Sequence, residues 1–400
     1  MGGSFWYFFF VKHAIIYRNL TLLVASTLTV MAGAVIAPVL PEISRHFSSY
    51  EHAELLSKLI LTLPALSTAL LAPVAGYFVD RSGRRFVLLV SLALYAIAGT
   101  TGAYLVNIYI ILLGRALLGV AVGALMTAVV TLIGDYFDGH DRSRFMGYQA
   151  AFAGLGGMLF ISVGGLLADL HWRAPFLIYA FSLVVMAFAW WFVGEPKRSD
   201  HDVVPNGQGG SATIPIPRKI FYLYAIAFFS MAVFYMIPVQ MPFMLSAIEG
   251  VSNSQVGFAI AFMNITAVTM ALNYGRVKKQ MGFLAVMALV YLFVAAGYII
   301  ISQANDYWVL VGGILVSGAG FGMQMANINL WLVTLAPPPM RGRLVGYLNA
   351  LIFLGMFLSP ILLQPLVVLT NLYQSFFIVA MMLLFFAVVF IITMLSTRNR

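Results

Sequence analysis

The chain has 400 residues, of which 62% are hydrophobic and only 9% are charged. Soluble domains carry about 25% charged residues, so this composition excludes an ordinary water-soluble protein. The net charge of +9 does not indicate nucleic-acid binding, because the charges lie in short connections between apolar runs, as in membrane proteins. The chain has no cysteine, which excludes disulfides, thiolate metal sites and thiol nucleophiles.

Apolar stretches between charged or turn-forming residues predict twelve membrane-spanning helices, because each approaches the roughly 20 residues that cross a bilayer. A transmembrane barrel is excluded, since its strands would alternate apolar and polar residues in segments of about ten. We therefore predict an all-α integral membrane protein. The predicted spans are residues 20–41, 55–79, 86–104, 108–133, 146–168, 174–194, 220–246, 255–274, 283–302, 308–335, 345–368 and 376–396.

The remaining segments predict the domain organisation. Residues 1–19 contain the aromatic run SFWYFFFV without a basic start or a cleavage site, so we predict an interfacial stub rather than a signal peptide. Residues 195–219 form the only long polar stretch and predict a flexible linker on the cytoplasmic side. This linker separates two bundles of six helices at 20–194 and 220–396, and residues 397–400 form a tail.

The two predicted bundles are related copies. A group of residues around the start of the fifth span recurs 199 positions later in the eleventh. The group is Arg142, Arg144, Gly147, Tyr148 and Gly156, which corresponds to Arg341, Arg343, Gly346, Tyr347 and Gly355. The same offset relates Gly76, Gly83, Gly119 and Gly123 to Gly275, Gly282, Gly318 and Gly322. One offset across several spans indicates an internal duplication, and parallel six-helix repeats are typical of transporters with a substrate site between them.

The distribution of Lys and Arg predicts the orientation. With a cytoplasmic N-terminus, the Lys and Arg residues fall on the cytoplasmic side except Arg45, Lys58 and Arg173, which fall outside, and Arg115, which lies within a span. Basic residues concentrate on the cytoplasmic side of membrane proteins. We therefore predict an inner-membrane protein with both termini in the cytoplasm.

Prolines interrupt two spans that correspond in the two copies. Pro38 and Pro41 lie near the end of the first span, and Pro238 and Pro242 echo them in the seventh. Proline frees backbone carbonyls that only a neighbouring helix or a water-filled cavity can satisfy. Paired interruptions of this kind indicate a transport route.

The loop after the second span reads GYFVDRSGRR. Its glycine and charged positions are Gly76, Asp80, Arg81, Gly83, Arg84 and Arg85. Gly76 would permit close helix approach, Gly83 would turn the chain, and Asp80 can pair with Arg84. From the residues alone, the segment is a basic turn that fixes topology.

This ordered pattern resembles the loop between the second and third spans of the major facilitator superfamily, and the resemblance covers essentially the whole chain. It implies two pseudo-symmetric six-helix bundles. It also implies a charged latch that holds the outward-open state, in which Asp80 and Arg84 act with Asp135 at the end of the fourth span. The second copy has Lys279 and Phe283 at the matching positions, so the latch is expected in the first half only. The first span, AGAVIAPVLPEI, resembles that of the family's twelve-span drug exporters.

Arg115 lies inside the fourth span, in GRALLGVAVG. A charge within a span is unfavourable by about 2.5–3.5 kcal/mol on insertion scales, so it usually faces a cavity or a partner. The second copy has Ile314 there, so the repeated scaffold does not require a cation. Arg115 with Gly119 resembles the family's fourth-span motif, whose Arg is associated with the central cavity and coupling. We predict a cavity-facing Arg115; an Arg that snorkels outward or binds helix carbonyls is the alternative.

The fifth span resembles the antiporter motif of the family's exporters through its glycines. They are Gly147, Gly156, Gly164 and Gly165. The Gly-Pro expected at the centre is replaced by Phe160-Ile161, which weakens the case for antiport. A plain packing surface is the alternative interpretation of these glycines.

Several polar residues are candidates for lining a substrate cavity. They are Tyr235, Gln240, Asn264, Gln324 and Asn327. Gln324 and Asn327 share one helix face, although hydrogen bonding between helices explains each of these residues equally well. No carboxylate or histidine is predicted in mid-membrane, where proton relays commonly use them. Glu42, at the outer end of the first span, is therefore the candidate proton site.

These observations predict secondary active transport of a small amphipathic organic compound or metabolite through the lipid bilayer, by export, with protons as the candidate coupling ion. The alternative is uptake or facilitated diffusion of a polar solute or an organic anion attracted by Arg115. A membrane-embedded sensor or enzyme would need catalytic His, Asp or Ser clusters at one depth, which we do not see. No GxxxxGK[ST] loop occurs, so neither a nucleotide nor another cofactor is expected. We expect a monomer with no nucleic-acid partner and no metal.

Overall fold

A computed structural model describes the backbone of residues 2–196 and 216–398, and their side chains except those of 2–13, 72, 73, 80, 397 and 398. Within these ranges the regular structure is helical and contains no strand. The helices are α1 (Gly2–Ala34), α2 (Leu40–His46), α3 (Ala53–Ser82), α4 (Arg84–Gly99), α5 (Thr101–Tyr104), α6 (Ile108–Tyr136), α7 (Gly139–Ala168), α8 (Phe181–Phe192), α9 (Arg218–Leu245), α10 (Asn253–Gln280), α11 (Phe283–Ser302), α12 (Tyr307–Leu335), α13 (Arg341–Leu369) and α14 (Leu372–Arg398).

In the described part of the chain, twelve helical segments are long and apolar enough to cross a membrane, which confirms the predicted all-α membrane fold. The first of these breaks after α1, passes through a short 3-10 helix at Ala37–Val39 and continues as α2. Pro38 and Pro41 lie at this break, because proline lacks the backbone donor that a helix interior needs. The seventh span differs, since α9 continues through both Pro238 and Pro242.

Within each half, short connections join consecutive spans, so these spans run in opposite directions. Helices α1 and α9 begin at one end of the bundle and α14 ends there; we call this the linker end. The opposite end, where α2 ends and where α3 and α10 begin, is called the far end.

Helices α1–α8 form the N-terminal half and α9–α14 form the C-terminal half. In the first half α6 packs against α3 and α4, and in the second half α12 packs against α10 and α11 in the same way. The halves meet mainly along two pairs of helices, α7 with α10 and α3 with α13, and α2 and the 3-10 helix before it also touch the C-terminal half. The internal repeat predicted from sequence is therefore also a repeat of helix packing.

Two glycines show this repeat at the level of atoms. A Cβ built on Gly119 would lie 2.2 Å from the carbonyl oxygen of Pro64, and one on Gly318 would lie 2.6 Å from that of Met263. Both distances are far shorter than van der Waals contact, so only glycine allows the two backbones to come so close. The carbonyl partners are separated by the same 199 positions as the glycines, so the contact was duplicated with the sequence.

Several helices extend beyond the predicted spans. Helix α1 begins at Gly2, so the backbone of the predicted stub at 2–19 is continuous with the first span. Helix α9 begins at Arg218, within the predicted linker at 195–219, of which residues 197–215 lie outside the described residues. Helix α14 continues to Arg398, within the predicted tail at 397–400. The domain boundaries themselves stay predictions.

Candidate functional site

Polar side chains from the two halves meet at the far end. The Asn253 side-chain amide, at the start of α10, donates to Glu42 Oε1 at 2.7 Å. Beside it, the Ser254 backbone N–H donates to the two carboxylate oxygens of Asp169 at 3.2 and 3.3 Å. The negative charge of Asp169 also interacts favourably with the positive N-terminal end of the α10 helix dipole. Glu42 thus contacts the other half, and its predicted role as a proton site stays a prediction.

An open recess of about 620 Å³ lies beside these contacts. Its charged and polar lining includes Glu42, Arg45, Asp169, His171, Glu249 and Asn253. Side chains around such an open recess stay in contact with water, so their polar interactions are weak. The contacts at this rim can therefore form and break readily.

A second polar contact between the halves is buried. Lys58 on α3 has a fully buried side chain, and its Nζ lies 2.5 Å from Oε1 of Glu54, one turn earlier. Nζ also lies 2.8 Å from Oε1 of Gln364 on α13 and 4.9 Å from the ring centroid of Phe243 on α9. The sequence places Lys58 on the outer side of the membrane and does not indicate these partners. The only local signal was Glu54, four residues earlier in an apolar stretch.

Helices α7 and α10 approach closely at Gly165 and Gly257. A Cβ on Gly165 would lie 2.7 Å from the Asn253 carbonyl oxygen and 3.2 Å from Gly257 Cα. Of the other fifth-span glycines, Gly156 and Gly164 pack against α1 and the turn after it. No described atom outside α7 lies within 4 Å of a Cβ built on Gly147. Gly156, Gly164 and Gly165 thus allow close helix packing.

At the linker end, the predicted latch residues contact partners in their own half. Arg84 Nε donates to Asp135 Oδ2 at 3.0 Å, and the two side chains are 13% and 17% exposed. Arg81 donates to the hydroxyl of Tyr77 one turn earlier. Among the described atoms, a Cβ on Gly76 would meet nothing within 4 Å outside its own helix, so Gly76 does not bring two helices together here. The Asp80 side chain lies outside the described residues.

Glu195 holds the turn between α3 and α4. Its carboxylate oxygens accept hydrogen bonds from the backbone N–H groups of Arg84 and Arg85, at 2.7 and 2.8 Å. These groups belong to the first turn of α4, where backbone donors lack partners within the helix. Gly83 has a φ of +94°, and a Cβ there would come within 3.0 Å of the Glu195 carboxylate. The sequence does not indicate this role of Glu195, because the residue begins the polar stretch predicted as linker.

The guanidinium of Arg115 is fully buried inside the N-terminal half. Its Nη2 donates to the Gly99 carbonyl on α4, and its Cζ lies 5.0 and 4.7 Å from the ring centroids of Phe176 and Tyr179. Nε and Nη1 have no hydrogen-bond partner among the described residues. These neighbours place Arg115 between the third, fourth and sixth spans rather than toward the other half. The contact with Gly99 fits the alternative of an Arg that binds helix carbonyls.

Two of the cavity candidates lie one turn apart on α12. Asn327 is buried, and the Tyr274 hydroxyl donates to its Oδ1 at 3.1 Å. Asn327 Nδ2 donates to the Phe283 carbonyl at 3.1 Å. Gln324 is buried as well. Asn327 therefore makes the hydrogen bonds between helices that were its alternative interpretation.

The other three candidates lie in separate places. Gln240 on α9 is fully buried, and neither atom of its amide has a partner among the described residues. Asn264 on α10 is half-buried. The Tyr235 hydroxyl would lie 3.4 Å from a Cβ built on Gly33 of α1, so Tyr235 contacts the other half. Their role in binding a substrate stays a prediction.

The chain matches known proteins over most of its length. The family model described as Major Facilitator Superfamily matches residues 22–360 and 223–400. The tetracycline resistance protein, class B, of Escherichia coli is 27% identical over 337 residues, 82% of this chain and 83% of that protein. The bacillibactin exporter of Bacillus subtilis (strain 168) is 24% identical over 352 residues, 82% of this chain and 85% of that protein.

Among solved structures, a bacterial homologue of the human lysosomal transporter Spinster, in an inward-facing and occupied conformation, has a TM-score of 0.78. It is 18% identical in sequence, and the similarity covers 96% of this chain and 97% of that one. At this identity the likeness shows the fold alone. The family model, which spans both repeats, decides the assignment: the chain belongs to the Major Facilitator Superfamily, a family of multi-pass membrane transporters.

Proposed function

We propose that the chain is a secondary active transporter that exports small amphipathic organic compounds across the inner membrane. The proposal rests on the observation that the two halves are joined at the far end. The hydrogen bonds between halves described above lie at the far end, whereas those of the latch lie within the N-terminal half. In transporters built from repeats, one half rocks against the other around a central site, so that one end closes while the other opens.

The proposed orientation follows from the basic residues of the linker-end loops. Because such residues favour the cytoplasm, the linker end is proposed to face inward and the far end outward. A molecule joined at its far end is then open toward the cytoplasm. This is the state in which an exporter takes up its cargo.

The proposed cargo class rests on side chains near the interface and on the names of relatives. Phe234 packs against Phe321 with ring centroids 4.8 Å apart, and Tyr235 contacts the other half. Aromatic and Met side chains with a few amides suit amphipathic compounds. Two relatives are named for tetracycline resistance and for bacillibactin export, which supports export of a small organic compound here.

Protons are the proposed coupling ion, and we propose a monomer that needs no cofactor and binds no nucleic acid. Transport, rather than catalysis, is the activity proposed for the whole chain. The uptake of an organic anion was the alternative suggested by Arg115. The contacts of Arg115 inside the N-terminal half give that alternative no support.

The test is flux in proteoliposomes that contain the purified protein and a fluorescent amphipathic dye. An imposed pH gradient should drive the dye against its concentration gradient, and a protonophore should abolish this flux. Liposomes without protein provide the control. Equal flux with and without the gradient would contradict proton coupling. Intact cells that express the protein should accumulate less dye than cells with the vector alone, and higher accumulation would contradict export.

A further inference from the structure

The contact at Lys58 buries a charged side chain, unlike the contacts of Glu42 and Asp169 beside the open recess. The Lys58 side chain is 0% exposed, whereas the Glu54 side chain is 45% exposed to solvent at the far end. Moving an ammonium group out of water is strongly unfavourable unless an opposite charge and further hydrogen bonds compensate it. Glu54 supplies the charge from the same helix, and the remaining compensation comes from Gln364 and Phe243 in the other half.

The Gln364 amide is matched to both members of this ion pair. Its Oε1 accepts from Lys58 Nζ at 2.8 Å, and its Nε2 donates to Glu54 Oε1 at 3.5 Å. One amide dipole therefore places its negative end on the cation and its positive end near the carboxylate. This arrangement requires α3 and α13 to be in contact, so it is lost when the halves separate at the far end.

The internal repeat provides a built-in comparison. At the offset of 199 positions, Lys58 corresponds to Gly257 and Gln364 corresponds to Gly165. Gly165 and Gly257 are the residues at which α7 and α10 touch. The same contact thus occurs on both sides of the repeat axis, once between two glycines and once as a charged cluster. The scaffold does not need a charge at this position, because one copy closes without it.

We propose that Lys58, Glu54 and Gln364 form a charge-dependent clamp, which holds the far end closed as long as Glu54 balances the buried ammonium group. The movement that opens the far end rests on the function proposed above. When the halves separate, water reaches Lys58 and replaces Gln364 and Phe243. Without the Glu54 charge, the closed state contains an unpaired buried cation and the open state is favoured.

The absence of cysteine allows a direct measurement of this equilibrium. Val106 and Leu369 are 76% and 82% exposed, lie at the far end and belong to different halves. Val106→Cys and Leu369→Cys can carry a pair of spin labels, whose distance distribution reports closed and open far ends in the full-length protein without substrate. Glu54→Gln should raise the ratio of open to closed molecules about tenfold or more.

Glu51→Gln is the matched control, because Glu51 lies three residues before Glu54, is 88% exposed and is paired with His52 among the described residues. It should leave the distribution unchanged. Lys58→Met combined with Glu54→Gln should restore closure, since an apolar side chain of similar length removes the buried charge. Gln364→Leu should raise the open fraction while leaving the pair within α3 intact, and so tests the clamp even if Glu54→Gln does not fold.

The measured distance distributions can contradict the proposed clamp in two ways. Distributions of Glu54→Gln and Gln364→Leu that match those of Glu51→Gln would overturn the clamp. A double variant as open as Glu54→Gln alone would show that charge is not the cause, which also overturns it. Because the distances are measured without flux, a wild-type protein that transports no dye would contradict the export proposal and leave the clamp standing.

Discussion

Two buried cations in this protein are stabilised in different ways. Lys58 has a carboxylate and an amide as partners, whereas Arg115 has one carbonyl and the faces of two aromatic rings. A guanidinium is less strongly hydrated than an ammonium group and stacks well on aromatic rings, so it tolerates such a site better. The charge at Lys58 is thus tied to the meeting of the halves, and that at Arg115 to the interior of one half.

Substitutions at Arg115 should separate a role in transport from a role in packing. Arg115→Met keeps a similar volume but removes a charge with two nitrogens that lack a hydrogen-bond partner among the described residues, so we expect thermal stability within about 1 kcal/mol of wild type. If the charge serves transport, flux should fall at least tenfold in Arg115→Met and recover in part in Arg115→Lys, which keeps the charge without the planar fork. Flux in proteoliposomes and thermal unfolding, measured on the same samples, check this. Wild-type flux in Arg115→Met would show a structural residue.

The surroundings of individual side chains are harder to predict from the sequence than the helices that carry them. The charge of Arg115 within a span was evident, but the face it occupies depends on Gly99, Phe176 and Tyr179, which the sequence does not place. The partner of Lys58 in the other half, Gln364, lies 306 residues away along the chain, so the sequence does not indicate that contact. Apolar length predicts a helix, whereas the partner of a polar side chain depends on how helices are arranged.

The turn before α4 is held by the backbone conformation of one residue and by hydrogen bonds to another. Gly83 supplies a backbone conformation that side chains disfavour, and Glu195 binds the two N–H groups that follow. Arg85 also donates to the Trp190 carbonyl on α8 at 2.6 Å. The turn is therefore attached to the end of the sixth span, and the beginning of the polar segment has a structural role.

Gly83→Ala should destabilise the protein by about 1–3 kcal/mol, because alanine disfavours the positive φ of this position and its methyl group would press on Glu195. Glu195→Gln should have a smaller effect, about 0.5–1 kcal/mol, through the weaker cap. The two substitutions share one contact, so their effects in the double variant should not add. Thermal unfolding in detergent measures all three, with the exposed far-end Glu249→Gln as a control. Additive effects would contradict the shared contact.

The latch residues should divide into two classes. Arg84 and Asp135 belong to the same half, and a pair inside a rigid half does not change when the halves rock. Asp135→Asn should therefore lower thermal stability without shifting the open and closed populations. Asp80→Asn should lower flux and shift these populations at normal expression, because the family resemblance implies that Asp80 belongs to the latch that holds the outward-open state. Spin-label distances across the linker end distinguish the two; a population shift in Asp135→Asn would contradict this division.

In the whole molecule, the two main helix pairs that join the halves differ in which substitutions they tolerate. The α7–α10 contact is made by backbone atoms at Gly165 and Gly257, whereas the α3–α13 contact contains the charged cluster. A contact between backbones has no room for added atoms, and a charged one depends on its counter-charge. Opening of the far end must break or reshape both.

Gly165→Ala should shift the molecule toward an open far end. Its methyl group would lie 2.7 Å from the Asn253 carbonyl oxygen, so α7 and α10 must move apart in the closed state. Gly147→Ala in the same helix is the matched control, because no described atom outside α7 lies within 4 Å of the added methyl group. The labels at Val106 and Leu369 report the result. Equal distributions for the two variants would show that α7 and α10 can adjust without opening.

Much of this whole-molecule arrangement was predictable. Twelve apolar runs and one constant offset predict twelve spans in two related halves, and the prolines at 38 and 41 predict the break in the first span. The state of the molecule was not predictable, because both states use the same helices. What distinguishes them is which ends touch, and this depends on pairs such as Glu42 with Asn253, which share no sequence pattern.

The repeated contacts of Gly119 and Gly318 with backbone carbonyls restrict how the two halves can diverge. Each contact lies within its own half, so each copy inherited the same restriction at the duplication and retains it independently of the other. Positions between the halves face the equivalent helix of the other copy, and there the copies have diverged to Lys58 and Gly257. Common ancestry is therefore easiest to detect in contacts inside a half, while the contacts between halves record how the copies came to differ.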